Sequence, residues 1–197
     1  LQRLNRYLGS HWLVLRTLQR LWQRAGRPQL LRLLDVGTGA GDMPLALMRW
    51  SQRHGVQLIV VAIDNHQSVI RYAHAALRGV PSIVLLQAEG RQLPFREQTF
   101  DFVVCSTMLH HLEWQDGITL LRAMAAVARY GVIVNDLVRS RLHYYGAHGV
   151  LAVLSRNRLT RHDGPLSVLR AYSISEVRAM ADAAGLRNAQ VHQALGY

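Results

Sequence analysis

Lysine is absent from this 197-residue chain, so all 23 basic residues are arginine, set against 12 acidic ones for a formal net charge of +11. Read alone, that charge suggests an anionic partner such as nucleic acid. The arginines are scattered, however, with no run resembling a basic arm. An all-arginine composition also reads as a codon preference as easily as a binding surface. Nucleic acid is therefore the lesser reading. There is a single cysteine, Cys105, inside an apolar run. A disulfide framework within the chain is excluded, a cytoplasmic setting fits, and Cys105 reads as a small core residue rather than a nucleophile. No apolar run reaches membrane-spanning length and no signal-peptide pattern opens the chain. The histidines lack metal-site spacing backed by carboxylates, so no metal is expected. The chain does not begin with Met and reads as a processed or trimmed piece.

Half of the residues are hydrophobic, enough for a full core, and the length suits one domain over 1–197. Leu1, Leu4, Leu8, Trp12, Leu15, Leu18 and Trp22 recur at helical spacing, with Arg16, Arg20 and Arg24 on another face. Residues 1–26 thus read as an N-terminal helical lid, with Ser10 capping a second helix after Gly9. Apolar runs then alternate with helical patterns over 30–136. Strands are expected at Leu30–Val36, Val56–Asp64, Ser82–Leu86, Phe100–Cys105 and Val132–Val134. Helices are expected at Pro44–Trp50, Ser68–Leu77 and Asp116–Arg129. Strands apolar on both faces and alternating with helices predict an α/β, Rossmann-like, doubly wound, mostly parallel sheet. The alternation stops over 137–171, an aromatic, arginine-rich stretch that reads as a lid insertion. Ser173-Ile174-Ser175-Glu176 is a capping box for a helix ending at Gly185, and Ala189–Leu195 reads as a sixth strand.

Gly37, Gly39 and Gly41 lie where the first strand turns into a helix, at the end of the sheet where open α/β folds bind ligands. A dinucleotide fingerprint would put its third glycine at position 42, which is Asp42. A carboxylate sits badly beside a pyrophosphate there. S-adenosylmethionine (SAM) carries no phosphate. Its ammonium suits Asp35 before the first glycine. Asp64, ending the second strand, can accept both hydroxyls of a ribose. It can equally cap the next helix.

Two further segments follow: Glu89-Gly90-Arg91-Gln92-Leu93-Pro94-Phe95 with Phe100-Asp101, and Ser106-Thr107-Met108-Leu109-His110-His111-Leu112. With the glycine loop and Asp64 in order, the sequence resembles class I SAM-dependent methyltransferases of the ubiquinone/menaquinone-biosynthesis-like group over about 30–136. Asn135-Asp136-Leu137 and Gly164-Pro165-Leu166 resemble, more weakly, methyltransferases of polyketide-type pathways. The resemblance implies SAM as cofactor, with S-adenosylhomocysteine (SAH) as product. It implies a cofactor set of Asp35, Gly37, Thr38, Gly39, Gly41, Asp64, Asn65, Glu89, Gly90, Arg91 and Ser106. Glu89 stands where the group usually has Asp against the adenine amino group, and Gly90 where it usually has Ala.

Methyl transfer needs alignment of nucleophile, methyl and sulfur, and a hydroxyl acceptor also profits from a base. His110 and His111 are the candidates, with His143 a third. Each reads equally as a wall of the pocket. Tyr7, Trp12, Met108, Tyr144, Tyr145, His148 and Arg158 are candidates to touch an acceptor. An aromatic-rich lid fits a small phenol, quinone precursor or polyketide, methylated at O or C. The alternatives are an RNA methyltransferase, which would show a continuous basic face, and a non-catalytic module of the same fold. A monomer or homodimer is expected.

Overall fold

The computed structural model describes residues 10–139 and 170–194. The described elements are α1 (Ser10–Arg24), β1 (Leu30–Val36), α2 (Asp42–His54), β2 (Gln57–Asp64), α3 (Gln67–Ala76), β3 (Ile83–Gln87), β4 (Phe100–Ser106), α4 (Trp114–Val127), β5 (Ala128–Asn135) and α5 (Ile174–Ala183). The five strands form one sheet in the order β3-β2-β1-β4-β5, every pair parallel. This is the expected doubly wound α/β fold. β1 and β4 are neighbours, and the chain reverses its direction across the sheet between them. A crevice opens at such a switch point, beyond the strands' carboxyl ends.

Burial explains why these runs become strands. Leu31, Leu33, Leu58, Val60, Phe102 and Val104 pack under α1 and α2, with Val14, Leu18, Leu47 and Trp50 filling the layer. Leu34, Val36, Ile63, Val103 and Cys105 pack under α4 and α5 against Leu120, Met124 and Met180. Cys105 is fully buried and burial pushes its thiol well up, which fits a core residue. Trp22 meets Trp50 edge-on at 5.6 Å, a geometry that contributes about 1 kcal/mol beyond area burial. The connection from β3 to β4 carries no helix. The sheet face at β2 and β3 consequently leaves Ile59, Val84 and Leu86 exposed.

Several boundaries depart from the sequence expectation. α2 begins at Asp42 rather than Pro44, because a first-turn amide needs no intrahelical acceptor and proline is tolerated there. α4 ends at Val127, so Arg129 lies in β5, which follows without a loop. The sixth strand does not form over 189–194, and Leu195 lies outside the described residues. Only Val191 and Ala194 are partly buried there, which leaves no apolar face to bury, and the Val191 carbonyl accepts from Arg178 instead. The capping box is present: Ser173 Oγ accepts from Glu176 N, and Ser173 N donates to Glu176 Oε2 at 2.7 Å. Arg139 donates to both Glu176 oxygens, and its backbone N–H to the Tyr172 carbonyl at 3.2 Å. Arg139 and Tyr172 are thus held side by side.

Candidate functional site

Three carboxylates stand at the carboxyl ends of adjacent strands: Asp35 near the end of β1, Asp64 ending β2, and Glu89 two residues after β3. The loop after β1 folds over β2, with Gly37 N and Thr38 N both donating to the Ile63 carbonyl at 2.9 Å. Gly37, Gly39 and Gly41 all have positive φ, at 74°, 54° and 84°. Two of them are crowded. A Cβ on Gly37 would lie 2.6 Å from Met108 Sδ, and one on Gly41 2.9 Å from Leu77 Cδ1. A Cβ on Gly39 would meet nothing within 4 Å, so there the backbone is bare to a ligand. Gly39 and Ala40 also wall a cavity of about 300 Å³ with Ser68, Val69 and Tyr72 of α3. Gly37→Ala combines a close contact with a left-handed backbone. It is expected to cost about 1–3 kcal/mol, read as a lowered thermal midpoint.

Asp35 is 1% exposed, and neither its Oδ2 nor the Thr38 hydroxyl has a hydrogen-bond partner among the described residues. Burial raises the Asp35 carboxyl to about 7; the nearby Thr38 side chain opposes the shift and Asp64 adds to it. A buried carboxylate left unpaired is costly, and a cation stacked on it relieves that cost. Asp64 is oriented by two backbone amides. Gly39 N donates to Oδ2 at 3.2 Å and His66 N to Oδ1 at 3.0 Å. Each oxygen keeps a second lone pair, the arrangement a ribose diol needs. The helix cap of α3 is His66, so Asp64 supports the helix start without being its cap. Ala88 N donates to the Asp64 carbonyl, joining the ends of β2 and β3. Glu89 accepts from Arg91 through its backbone N–H, Nε and Nη2. Those bonds hold its carboxyl below the usual range, with burial opposing and Asn65 assisting.

β4 ends at Ser106, whose Oγ accepts from Asn135 at 3.4 Å, and Thr107 follows with φ 54°. Met108 lies across Gly37 and reaches Gly90, so it floors the crevice between the β1 and β3 ends. Leu109–His111 form one short 3-10 turn. Asp136, just past β5, fixes this turn. Its Oδ2 accepts from Leu109 N at 2.6 Å, and its Oδ1 from His110 Nδ1 at 2.6 Å and Leu137 N at 2.7 Å. A carboxylate only accepts, so Nδ1 carries the imidazole proton and Nε2 is left basic. His110 is 6% exposed; His111 stacks obliquely on it at 4.0 Å and is exposed. Desolvation, then His110 and Arg170, lower the His111 pKa, while Asp136 opposes.

Sequence reasoning did not assign Asp136 a role. It lies 26 residues from His110 in the chain, and only the pairing of β4 with β5 brings them together. It also missed His11 in the first turn of α1, where burial lowers the pKa and Asp42 of the glycine loop's helix raises it. Trp12 is exposed with the Arg16 guanidinium over its ring. Tyr7, His143, Tyr144, Tyr145, His148 and Arg158 lie outside the described residues.

The sequence matches a family described as Methyltransferase domain over residues 33–131, half of the chain. The chain belongs to this family. It is a class I SAM-dependent methyltransferase domain by fold and motif order, and SAM is the methyl donor of that class. It is similar to YcgJ of Bacillus subtilis, an uncharacterized methyltransferase. The two are 28% identical over 154 residues, covering 77% of this chain and 55% of YcgJ. The crystal structure of YcgJ superposes with a TM-score of 0.61 at 22% identity, over 89% of this chain and 67% of that one. A ubiquinone/menaquinone biosynthesis C-methyltransferase, UbiE of Edwardsiella ictaluri, is 28% identical over 191 residues, covering 87% of this chain and 74% of UbiE. A SAM-dependent methyltransferase structure from Aquifex aeolicus gives a TM-score of 0.56 at 23% identity, over 79% of this chain and 71% of that one. The methyltransferase domain thus spans about half the length of the first of these relatives.

Proposed function

We propose that the chain transfers a methyl group from SAM to a small acceptor, a phenol, quinone precursor or polyketide, at oxygen or carbon. The observation that carries this reading is the buried Asp35 carboxylate at the root of the glycine loop, whose Oδ2 has no hydrogen-bond partner among the described residues. It is chemistry that calls for an ammonium and repels a phosphate. The donor set then divides by group. Asp35 and Thr38 meet the cofactor's amino-acid end, Asp64 the ribose, and Glu89 with the Gly90 backbone the adenine. When bound, SAM supplies an electrophilic methyl on a sulfonium with its own leaving group.

The protein's part is alignment and proton removal. His110, its proton held at Nδ1 by Asp136, accepts an acceptor hydroxyl proton at Nε2. Asp136 stabilises the resulting imidazolium. The same proton removal serves carbon methylation of a phenol, since the phenolate enriches the ring carbons beside it. UbiE-like relatives act on quinone precursors by their printed names, which favours that acceptor class. Tyr172 donates its hydroxyl to the Leu112 carbonyl at 2.7 Å, which puts Arg139 and Tyr172 near the histidine turn. The segment boundaries expected from the sequence, 1–26 and 137–171 as lids on a 30–136 core with 173–197 closing it, belong to this proposal.

Calorimetric titration with SAH tests the reading. Binding with a micromolar Kd and one site is expected, roughly 8 kcal/mol of binding free energy. Absence of binding to both SAM and SAH overturns it in favour of a non-catalytic module.

A further inference from the structure

Glu89 and Gly90 replace the Asp and Ala that the resembled group usually carries, and the two changes are packed together. Gly90 is buried, and a Cβ there would lie 2.9 Å from Val36 Cγ1 and 3.1 Å from Leu120 Cδ1. The turn after β3 is therefore pressed onto the core at the one residue without a side chain. Its flanks face outward. Glu89 has one more rotatable bond than Asp and is only partly buried. Arg91 fixes it. The guanidinium donates from Nε and Nη2 to the two Glu89 oxygens at 3.0 and 3.2 Å, and its Nη1 pairs with Asp116 Oδ2 at 2.8 Å. Asp116 lies in the first turn of α4, and Leu120 lies one turn further on the same face. α4 thus touches the turn twice, with an apolar contact at Gly90 and a charge at Arg91.

We infer that Arg91 and Asp116 are positioning residues that set the nucleobase selectivity of the cofactor site by fixing the Glu89 carboxylate as a hydrogen-bond acceptor. The inference rests on the cofactor reading above. A carboxylate can only accept. It suits the exocyclic amino group of adenine and opposes the oxygen that hypoxanthine carries at the same atom. A free Arg91 would cancel that selection, because a guanidinium donates and would satisfy the oxygen. Asp116 holds the far edge of the guanidinium and keeps it turned away from the base. Both ion pairs are partly exposed, so they contribute little to stability and their value lies in geometry.

The test compares SAH with S-inosylhomocysteine, its 6-oxo analogue, by calorimetric titration. The wild-type chain is expected to prefer SAH by at least about 100-fold, as a site built for one hydrogen-bond polarity rejects the other. Asp116→Asn and Arg91→Ala are each expected to reduce that ratio at least about ten-fold, with thermal midpoints within a few degrees of wild type. Asp116→Glu, which keeps the charge, is expected to restore it. A ratio unchanged in both variants overturns the inference, as does a wild type that binds SAH without preference. A wild type that binds neither ligand overturns the cofactor reading and this inference together.

Discussion

His110→Ala is expected to lower turnover by about 10²- to 10⁴-fold while SAH affinity stays within about two-fold. His110 is buried, its Nδ1 is committed to Asp136, and its backbone belongs to the turn that Asp136 holds at two points, Leu109 N and His110 Nδ1. No cofactor-facing carboxylate is part of that turn, so the loss falls on chemistry. Asp136→Asn is expected to fall in the same range. The amide can present its N–H₂ to Nδ1, which moves the imidazole proton to Nε2 and removes the base. His111→Ala, by contrast, is expected to change turnover less than about five-fold, because no carboxylate orients that exposed ring. The measurement is SAH release with an acceptor drawn from a panel of phenols and hydroquinones. Full turnover in His110→Ala and in Asp136→Asn would remove the pair from the mechanism.

Asp35→Asn is expected to act in opposite directions on the fold and on the cofactor. An unfolded aspartate titrates near 3.8, and burial raises the folded value to about 7. Between those values the folded chain binds more protons than the unfolded one. This carboxyl therefore costs stability progressively as pH rises from about 4 to 7, and the cost levels off above that. A shift of about three units corresponds to about 4 kcal/mol at its plateau. The amide carries no charge, so the variant gains most at pH 8 and nearly nothing at pH 4, read as a thermal midpoint against pH. Binding runs the other way. The cofactor's ammonium needs the ionised carboxylate, so wild-type SAH affinity rises about ten-fold per unit up to pH 7 and then flattens. Asp35→Asn loses that slope and about 100-fold of affinity at pH 8. A wild-type affinity that is flat between pH 5.5 and 8 would detach Asp35 from the ammonium.

What could be read from the sequence divides along physical lines. β1 was legible to the residue, because Leu30–Val36 is apolar on both faces and ends at glycines. Asp35 and Asp64 were legible as carboxylates closing apolar runs, whereas Glu89 was legible only through the family resemblance. Asp101 and Phe100 were legible as a motif, but their use was not. Asp101 Oδ2 accepts from Arg32 N at 2.8 Å, and Phe100 packs edge-on against Phe95 at 4.9 Å. Both uses are structural, the first between β4 and β1 and the second between β4 and the loop that precedes it. Asp136 escaped because its partner comes from the neighbouring strand, and strand order is not written in local periodicity. Arg91 was legible beside Glu89, but its pair with Asp116 was not, because Asp116 comes from α4 and only the fold brings the two together. The sixth strand failed for a related reason, since a mildly apolar run becomes a strand only where a face awaits burial.

The four tryptophans are distributed so as to report separately. Trp22 and Trp50 are buried and in contact under α1 and α2, the former donating from Nε1 to the Pro28 carbonyl. Their emission should be blue-shifted, with excitation shared between the two rings, and should change only when the core melts. Trp114 opens α4 three residues after His111, half exposed and 6.1 Å from Tyr172. Its quantum yield is tied to the histidine turn and to the root of the 140–169 stretch. Trp12, under the Arg16 guanidinium, is exposed at the start of α1 and should emit at longer wavelength than the buried pair. The chain thus carries its own optical labels, one pair for the core and one indole beside the histidine turn.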